Sequence, residues 1–141
     1  MKPVIAKQIA TLLNSENQLV VPYTEKKVLD NKNNYLFEVN DNDDVLSFIE
    51  CRKVQWYQYE VCHLTVNPSH RRSGLGKKIL EKAISHAKAN RGRIIQCTIR
   101  EKNTKSTSLF SKNGFLKTSK FYYPNSGNNV GVWQKVISEC T

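Results

Sequence analysis

Arginines and glycines with a regular spacing join a strand-like segment to a helix-like segment. Residues 61–66 (VCHLTV) are apolar and β-branched for most of their length, which is typical of a central strand. Pro68 ends that strand, because proline lacks the N–H that a strand ladder needs. A half-buried helix is then indicated by apolar residues at every fourth position: Leu75, Ile79, Ala83 and Ala87.

The junction has the composition of an anion site. Gly74 and Gly76 carry no side chain, and they lie where the predicted helix begins. A helix N-terminus offers N–H donors without intrahelical acceptors and carries the positive end of the helix dipole. Arg71 and Arg72 add two positive charges beside it. We therefore predict that the junction binds a diphosphate, although the same residues also suit an ordinary flexible connection with solvated arginines.

Two side chains on the strand, Glu60 and His63, are candidates to accept a proton during chemistry. Strict alternation places them on opposite faces of the strand unless a bulge interrupts it. Glu60 is one of only four acidic residues in the segment 51–141. Each residue also has a structural interpretation, Glu60 as a surface charge at the strand end and His63 as a histidine packed in the sheet.

Length and composition indicate one domain over residues 1–141, placed in the cytoplasm. No apolar run is long enough to span a membrane, so no membrane association is expected, and the N-terminal segment is too polar for a signal peptide. Cys51, Cys62, Cys97 and Cys140 show no paired spacing. We expect them to be free thiols in a reducing compartment, and we expect no metal site.

The net charge of +10 is unevenly distributed along the chain. Residues 1–50 carry five lysines and eight acids, whereas residues 51–141 carry 17 basic and four acidic residues. The basic half contains the junction and should attract a polyanion. A phosphate-rich coenzyme, a nucleic acid or a ribosome would each fit, and charge alone does not separate them.

Periodicity predicts a mixed α/β fold in which an antiparallel meander is followed by a parallel, right-handed β-α-β crossover. The first helix, residues 3–14, should bury one face formed by Val4, Ile5, Ile9, Leu12 and Leu13. A second helix starts at a Thr24 cap and ends near Leu29. The other predicted elements are strands 35–39, 45–53 and 56–66, the helix that begins near 75 and ends at Asn90-Arg91-Gly92, strand 93–99, helix 103–113, and strands 115–123 and 130–136.

The spacing Arg71-x-x-Gly74-x-Gly76 resembles the coenzyme A signature of the GNAT superfamily, the Gcn5-related N-acetyltransferases. Residues 103–115 (NTKSTSLFSKNGF) resemble the family's Asn-x-x-Ala-x-x-Leu-Tyr-x-x-x-Gly-Phe helix. The resemblance covers about residues 45–123. The first third of the chain resembles the family only in its general arrangement of elements. It implies the GNAT acyl-CoA N-acyltransferase fold. It also implies acetyl transfer from acetyl-CoA to a primary amine, on a protein or a small molecule, by direct attack in a ternary complex.

The resemblance also implies roles for individual residues. Backbone groups of Leu64, Thr65 and Val66 would pair with the pantetheine arm like an added strand. Asn103 would form a hydrogen bond with that arm, besides acting as a helix cap. The helix around Phe110 would form the wall of the site next to the sulfur of the coenzyme. The pyrophosphate would be held by Arg71, Arg72, Ser73, Gly74, Leu75 and Gly76.

The resemblance makes Glu60 the first candidate for the catalytic base, because it matches the glutamate of the histone acetyltransferase branch. His63 is the second candidate, and the amide of Val66 would polarise the thioester carbonyl. Many family members carry an acid tyrosine where this chain has Phe110. Either the thiolate leaves without a protein acid, or another hydroxyl replaces the tyrosine, or the enzyme is weak or inactive; the replacement candidates are Ser111, Tyr122 and Tyr123.

The acceptor and the partners stay open at the level of sequence. Trp56, Tyr57 and Tyr59 could frame an acceptor channel, or they could belong to the core. The amine acceptor is not identified, and a homodimer is compatible with the family. A different class of function is a non-catalytic module that binds acyl-CoA, or that binds nucleic acid or the ribosome through its basic face.

Overall fold

The computed structural model describes residues 1–17, 19–71 and 74–138. Its elements in chain order are α1 (Pro3–Glu16), α2 (Glu25–Asp30), β1 (Tyr35–Val39), β2 (Val45–Gln55), β3 (Gln58–Val66), α3 (Leu75–Ala89), β4 (Ile94–Arg100), α4 (Thr104–Lys112), β5 (Leu116–Tyr123) and β6 (Asn128–Val136). Short 3-10 turns precede β1 and follow β3, at Lys32–Asn34 and Pro68–His70. Apart from these turns, the element order agrees with the prediction from sequence.

The strands form a six-stranded mixed sheet in the order β1-β2-β3-β4-β6-β5. β1 and β2 are antiparallel, and a two-residue turn joins β2 to β3. β3 pairs in parallel with β4 through Gln58–Glu60, whereas β6 is antiparallel to both β4 and β5. The prediction of a meander followed by a parallel crossover is therefore confirmed.

The chain divides into two compact units. The first unit contains residues 1–51 and 63–83, and the second contains residues 52–62 and 84–141. The expectation of one domain over residues 1–141 stays a prediction.

The core of the first unit is built from α1, α2, β1 and β2. Ile5, Ile9 and Leu13 of α1 are buried, together with Ala6 and Ala10. The predicted apolar face was wrong at one position, because Val4 is 51% exposed. The buried stripe of α1 is centred on residues 5, 9 and 13, which places Val4 at its edge.

The buried side chains of the second unit include residues of β3, β4, α4 and the C-terminal half of α3. Tyr59, Val61, Ile95 and Ile99 are among them. Trp56 does not continue the third strand as predicted, because it lies in the turn between β2 and β3 and is 61% exposed.

The end of α3 uses its glycine for close packing. Arg91, with φ 65°, is the residue that adopts the left-handed conformation. Gly92 donates from its N–H to the Ala87 carbonyl at 2.8 Å, and a Cβ at Gly92 would lie 2.8 Å from the Tyr59 ring. Any larger residue at position 92 would therefore clash.

The surface of the second unit includes all of β5, whose described residues are exposed throughout. Leu116 and Tyr122 are the most exposed large apolar side chains on this strand, at 72% and 60%. Among the described residues, no helix is long and apolar enough to cross a membrane.

Candidate functional site

The junction between β3 and α3 is anchored by Asn67, in the first unit. Its side-chain amide donates to the Val45 carbonyl at 2.9 Å, and its backbone N–H donates to the Leu46 carbonyl at 2.9 Å. Its Oδ1 accepts from the Ser69 N–H at 3.0 Å, which caps the 3-10 turn. These bonds fix the path of the chain directly before Arg71.

Gly74 turns the chain into α3. Its φ is +90°, a conformation that side-chain-bearing residues rarely adopt, and a Cβ built there would meet nothing within 4 Å. The helical ladder begins where the Lys78 N–H donates to the Gly74 carbonyl at 2.9 Å. The amides of Leu75 and Gly76 therefore belong to the helix start, where N–H groups have no intrahelical acceptor. This geometry fits an anion site.

The positive charge of Arg71 lies next to the C-terminal end of α1. One of its guanidinium nitrogens is 3.8 Å from a Glu16 carboxylate oxygen, and the Arg71 side chain is 56% exposed. Arg71 and His70 also line a shallow pocket with Asn40 and Leu46. The predicted site residues Arg72 and Ser73 lie outside the described residues.

Near the end of β3, the side chain of Thr65 makes two hydrogen bonds within the protein. The Thr65 hydroxyl donates to the His63 carbonyl at 2.9 Å and accepts from the Asn17 amide at 3.2 Å. Thr65 is buried, whereas Leu64 and Val66 are half-buried. A ligand at this strand end would thus contact main-chain groups, as the resemblance implies.

His63 interrupts the regular course of β3. Its φ is +56°, which breaks the strict alternation of side chains along the strand. An imidazole nitrogen lies within 4.8 Å of a carboxylate oxygen of Glu50 on β2. Glu50 is only 5% exposed, and its Oε1 accepts a hydrogen bond from the Tyr35 hydroxyl at 3.2 Å. His63 and Glu50 both belong to the first unit.

Glu60 lies in the second unit, on the part of β3 that pairs with β4. It is half-buried, and its register partner is Gln96. Burial raises the pKa of the neighbouring Cys97 thiol from 9.0 to about 12, and the negative charge of Glu60 contributes to that rise. Glu60 therefore has a partly desolvated carboxylate beside an un-ionised thiol.

The α4 helix of the second unit carries the two remaining candidates. Asn103 caps the helix, since its Oδ1 accepts from the Ser106 N–H at 3.1 Å. Phe110 is 5% exposed, and its ring meets the Phe115 ring edge-on with the centroids 4.9 Å apart. The cap is confirmed, while the contacts of Asn103 and Phe110 with a coenzyme stay predictions.

Comparison with known proteins places this architecture in a family. The profile of the acetyltransferase (GNAT) family matches residues 6–115, which is most of the chain. The chain belongs to the GNAT acetyltransferase family. The match extends the resemblance, which rested on residues 45–123, into α1.

Individual relatives of this GNAT chain are distant. An uncharacterized N-acetyltransferase from the lysA 3′ region of Bacillus methanolicus is 30% identical over 78 residues, which cover 55% of this chain and 65% of that protein. The chain thus spans just under two thirds of that relative.

Among solved structures, Ard1 from Thermoplasma volcanium superposes with a TM-score of 0.82 at 19% identity, covering 99% of this chain and 95% of Ard1. Salmonella typhimurium yncA with its cofactor acetyl-CoA gives 0.77 at 17% identity, covering 98% and 88%. These likenesses show the GNAT fold.

Sequence reasoning missed the residues that hold the site in place. Asn67 and Asn17 act through side-chain hydrogen bonds that no periodicity reveals. Glu50 had a weak signal, as an acid at the end of the apolar run 45–49. The predicted residues of the first unit, namely His63, Leu64, Thr65, Val66, Arg71, Gly74, Leu75 and Gly76, lie along one continuous strand–turn–helix segment, and their functional roles stay predictions.

Proposed function

We propose that this protein is an acetyl-CoA-dependent N-acetyltransferase that acetylates a primary amine by direct attack in a ternary complex. Membership in the GNAT family supports acetyl transfer. The observation that carries the proposal is the β3–α3 junction, where Gly74 at φ +90° turns the chain into α3 and a Cβ built on it would meet nothing within 4 Å. Among the described residues, Cys51 and Cys97 are buried thiols outside any disulfide, which fits our proposal of a reducing, cytoplasmic location.

The chain offers groups for each part of the coenzyme. Amides at the start of α3 and the guanidinium of Arg71 would hold the pyrophosphate, with Arg72 and Ser73 contributing as the resemblance implies. Backbone groups of residues 64–66 would bind the pantetheine arm as an added strand. Since Asn103 uses its Oδ1 for the cap, its side-chain NH₂ stays available to donate to that arm.

The chemistry requires proton removal from the acceptor. Alkyl amines are mostly protonated near neutral pH, so a base increases the amount of nucleophile. Glu60 and His63 are the candidates. Bound acetyl-CoA supplies the acetyl group as a thioester, and the Val66 amide would polarise its carbonyl. Phe110 offers no hydroxyl, so we propose that the thiolate leaves without an acid at this position.

Calorimetry with acetyl-CoA, followed by a thiol-release assay against a panel of protein N-termini, lysine peptides and small amines, tests the proposal. We expect saturable binding and thiol release that depends on one class of amine. Binding without turnover on any amine would instead favour the acyl-CoA-binding module. Binding to RNA without any affinity for acetyl-CoA would contradict the coenzyme site itself.

The Gly74→Glu substitution tests the anion site directly. It places a carboxylate in front of the α3 amides, so we expect the Kd for acetyl-CoA to rise by about 100-fold or more, equivalent to about 2.7 kcal/mol. Gly127→Glu is the matched control, because Gly127 also has a positive φ, +71°, and lies in the β5–β6 turn. The same loss of affinity in both variants, or in neither, would exclude the proposed cradle.

A further inference from the structure

Glu50 is a buried carboxylate that the proposed function does not yet use. It lies within the buried part of β2, residues 45–51, and is 5% exposed. An ionised carboxylate loses much solvation on burial and needs hydrogen bonds or an opposite charge nearby. Tyr35, 4% exposed and paired with Glu50 in the β1–β2 register, provides one hydroxyl donor at 3.2 Å.

A second neighbour of Glu50 is the imidazole of His63, with one of its nitrogens within 4.8 Å of a carboxylate oxygen. The imidazole is also contacted by the Tyr23 ring, edge-on with the centroids 5.8 Å apart. Tyr23 is itself fixed by Asn14, which accepts from the Tyr23 N–H at 2.8 Å and donates to its carbonyl at 2.9 Å. The imidazole is therefore positioned from two sides within the first unit.

The backbone at His63 indicates that this placement is costly. A non-glycine residue at φ +56° within a strand is strained, and such strain concentrates at functional positions. The strain turns His63 away from the regular alternation and towards the carboxylate. His63 also directly precedes residues 64–66, whose backbone is assigned to the pantetheine arm in the proposed function.

We propose that Glu50 is a positioning residue that orients His63 and stabilises its protonated form, and that His63 is the catalytic base. This inference rests on the proposed function and deepens it. Glu60, the other candidate, is on the part of β3 that pairs with β4, and its electrostatic partner is the Cys97 thiol. That partner is an un-ionised thiol, whereas the neighbour of His63 is a buried carboxylate.

The proposed step balances in protons and electrons. The amine lone pair attacks the thioester carbon, the N–C bond forms, and the C–S bond breaks with its electron pair leaving on sulfur. The amine proton passes to an imidazole nitrogen of His63, and the resulting positive charge is offset by the Glu50 carboxylate. His63 then gives the proton to the thiolate, which regenerates the neutral base.

The charged groups around His63 define the expected pH behaviour. Within the first unit, Glu50 on β2 and Tyr23 in the α1–α2 connection face the imidazole. Tyr35 lies behind Glu50, and the ammonium of Lys27 is 4.0 Å from the centre of the Tyr23 ring. Cys62 adjoins His63 along β3. Removal of the Glu50 charge should therefore lower the pKa of His63, because a neighbouring negative charge no longer stabilises the imidazolium.

An NMR titration of the three histidines, assigned with His63→Gln, measures this coupling without any substrate. In Glu50→Gln we expect the His63 midpoint to fall by about one pH unit relative to the wild type. We also expect kcat to fall by about tenfold or more near neutral pH, with an unchanged KM for acetyl-CoA. The acid limb of the pH–rate profile should move with the His63 midpoint.

The matched control is Glu38→Gln. Glu38 is a half-buried acid of the same unit, and it pairs with Lys78 and Lys82 at 3.7 and 3.3 Å. It should leave the His63 midpoint and the pH profile unchanged. Glu50→Asp keeps the charge and should move the midpoint back towards the wild-type value, which provides a second variant in case Glu50→Gln does not fold. In the His63→Gln background, Glu50→Gln should cause little further loss of rate.

An identical His63 midpoint in wild type, Glu50→Gln and Glu50→Asp would overturn the inference, as would fully additive losses in the double variant. Failure of the proposed function looks different. If the wild type releases thiol but Glu50→Gln keeps its profile, acetyl transfer stands and the role of Glu50 is wrong. If no amine supports thiol release, acetyl transfer fails, and the NMR titration still decides whether Glu50 controls His63.

Discussion

The two units of the chain differ in where they place polar groups. The buried polar or charged residues among those described, Ser47, Glu50 and Thr65, all belong to the first unit. The second unit exposes apolar side chains along β5, including Leu116 and Phe121. Burial of polar groups costs stability unless they are paired, and in the first unit Glu50 and Thr65 have hydrogen-bond partners that fix their geometry. The second unit offers accessible surface.

The division of charge follows the same boundary. The first unit contains 10 basic and nine acidic residues, whereas the second contains 12 basic and three acidic residues. When the sequence is divided at residue 50, the β3–α3 junction lies in the basic half. In the structure the junction belongs to the first unit, whose positive and negative charges nearly cancel. We therefore expect any attraction of a polyanion to the junction to depend on local amides and on Arg71 more than on the net charge of the first unit.

The largest expected effect is on the free energy of unfolding, when a core side chain of either unit is removed. Phe48 in the first unit and Phe115 in the second are 0% and 1% exposed. Phe48→Ala and Phe115→Ala should each lower the free energy of unfolding by about 3–5 kcal/mol, because each leaves a cavity. Urea unfolding followed by circular dichroism should show one transition in both variants. Two transitions, with only one displaced in each variant, would show that the units unfold separately.

A moderate effect is expected from the buried thiols at high pH. Burial raises the pKa of Cys51, in the first unit, and of Cys97, in the second, from 9.0 to about 12. A thiol whose pKa is higher in the folded than in the unfolded state stabilises the fold below pH 9, and this contribution is lost as the pH rises towards 12. Thermal melting between about pH 8 and 11 should therefore show falling stability.

The variants Cys51→Ala and Cys97→Ala show how much each unit contributes to this loss. Each substitution should make stability fall less steeply with pH. A thiol whose acid dissociation constant is tenfold lower in the folded than in the unfolded state accounts for about 1.4 kcal/mol of the stability lost at high pH. Other groups also titrate in this range, so the slope difference from the wild type is the measured quantity. An unchanged slope in both variants would mean that the thiols do not control alkaline stability.

The smallest effect on stability is expected at two residues with a strained, left-handed backbone, one in each unit. Arg91 in the second unit and His63 in the first have φ values of 65° and 56°. Arg91→Gly should increase the free energy of unfolding by about 1 kcal/mol, because glycine adopts this conformation without strain. Thiol release should be unchanged. His63→Gly should also relieve strain but abolish thiol release; retained activity in that variant would show that the strain at His63 has no catalytic purpose.

Much of the fold could be predicted because the local patterns were strong. The every-fourth spacing in α3 placed Leu75, Ile79, Ala83 and Ala87 in the core, and all four are buried. The Asn113-Gly114 pair ended α4 as expected, since Gly114 adopts φ +88°. The turn at Trp56 was missed, because aromatic residues favour strands and no glycine or proline marks the reversal.

The candidate site was predictable only in part, for a physical reason. Residues that act through the backbone, such as Gly74, have sequence signals because a conformation restricts which amino acid fits. Residues that act through contacts between distant segments have none. Asn67 reaches across 22 positions to Val45, and Asn17 reaches across 48 positions to Thr65.

The amino-acid sequence by itself determined the order of helices and strands, the strand–glycine–helix junction and the membership in the GNAT family, because these depend on periodicity, turn conformation and spacing along the chain. Only the tertiary structure decided which charges meet. Glu50 and His63 are 13 positions apart and come together because β2 and β3 are neighbours in the sheet and a single left-handed residue turns the imidazole towards a buried carboxylate. Pairing between strands sets that distance, and no local pattern records it.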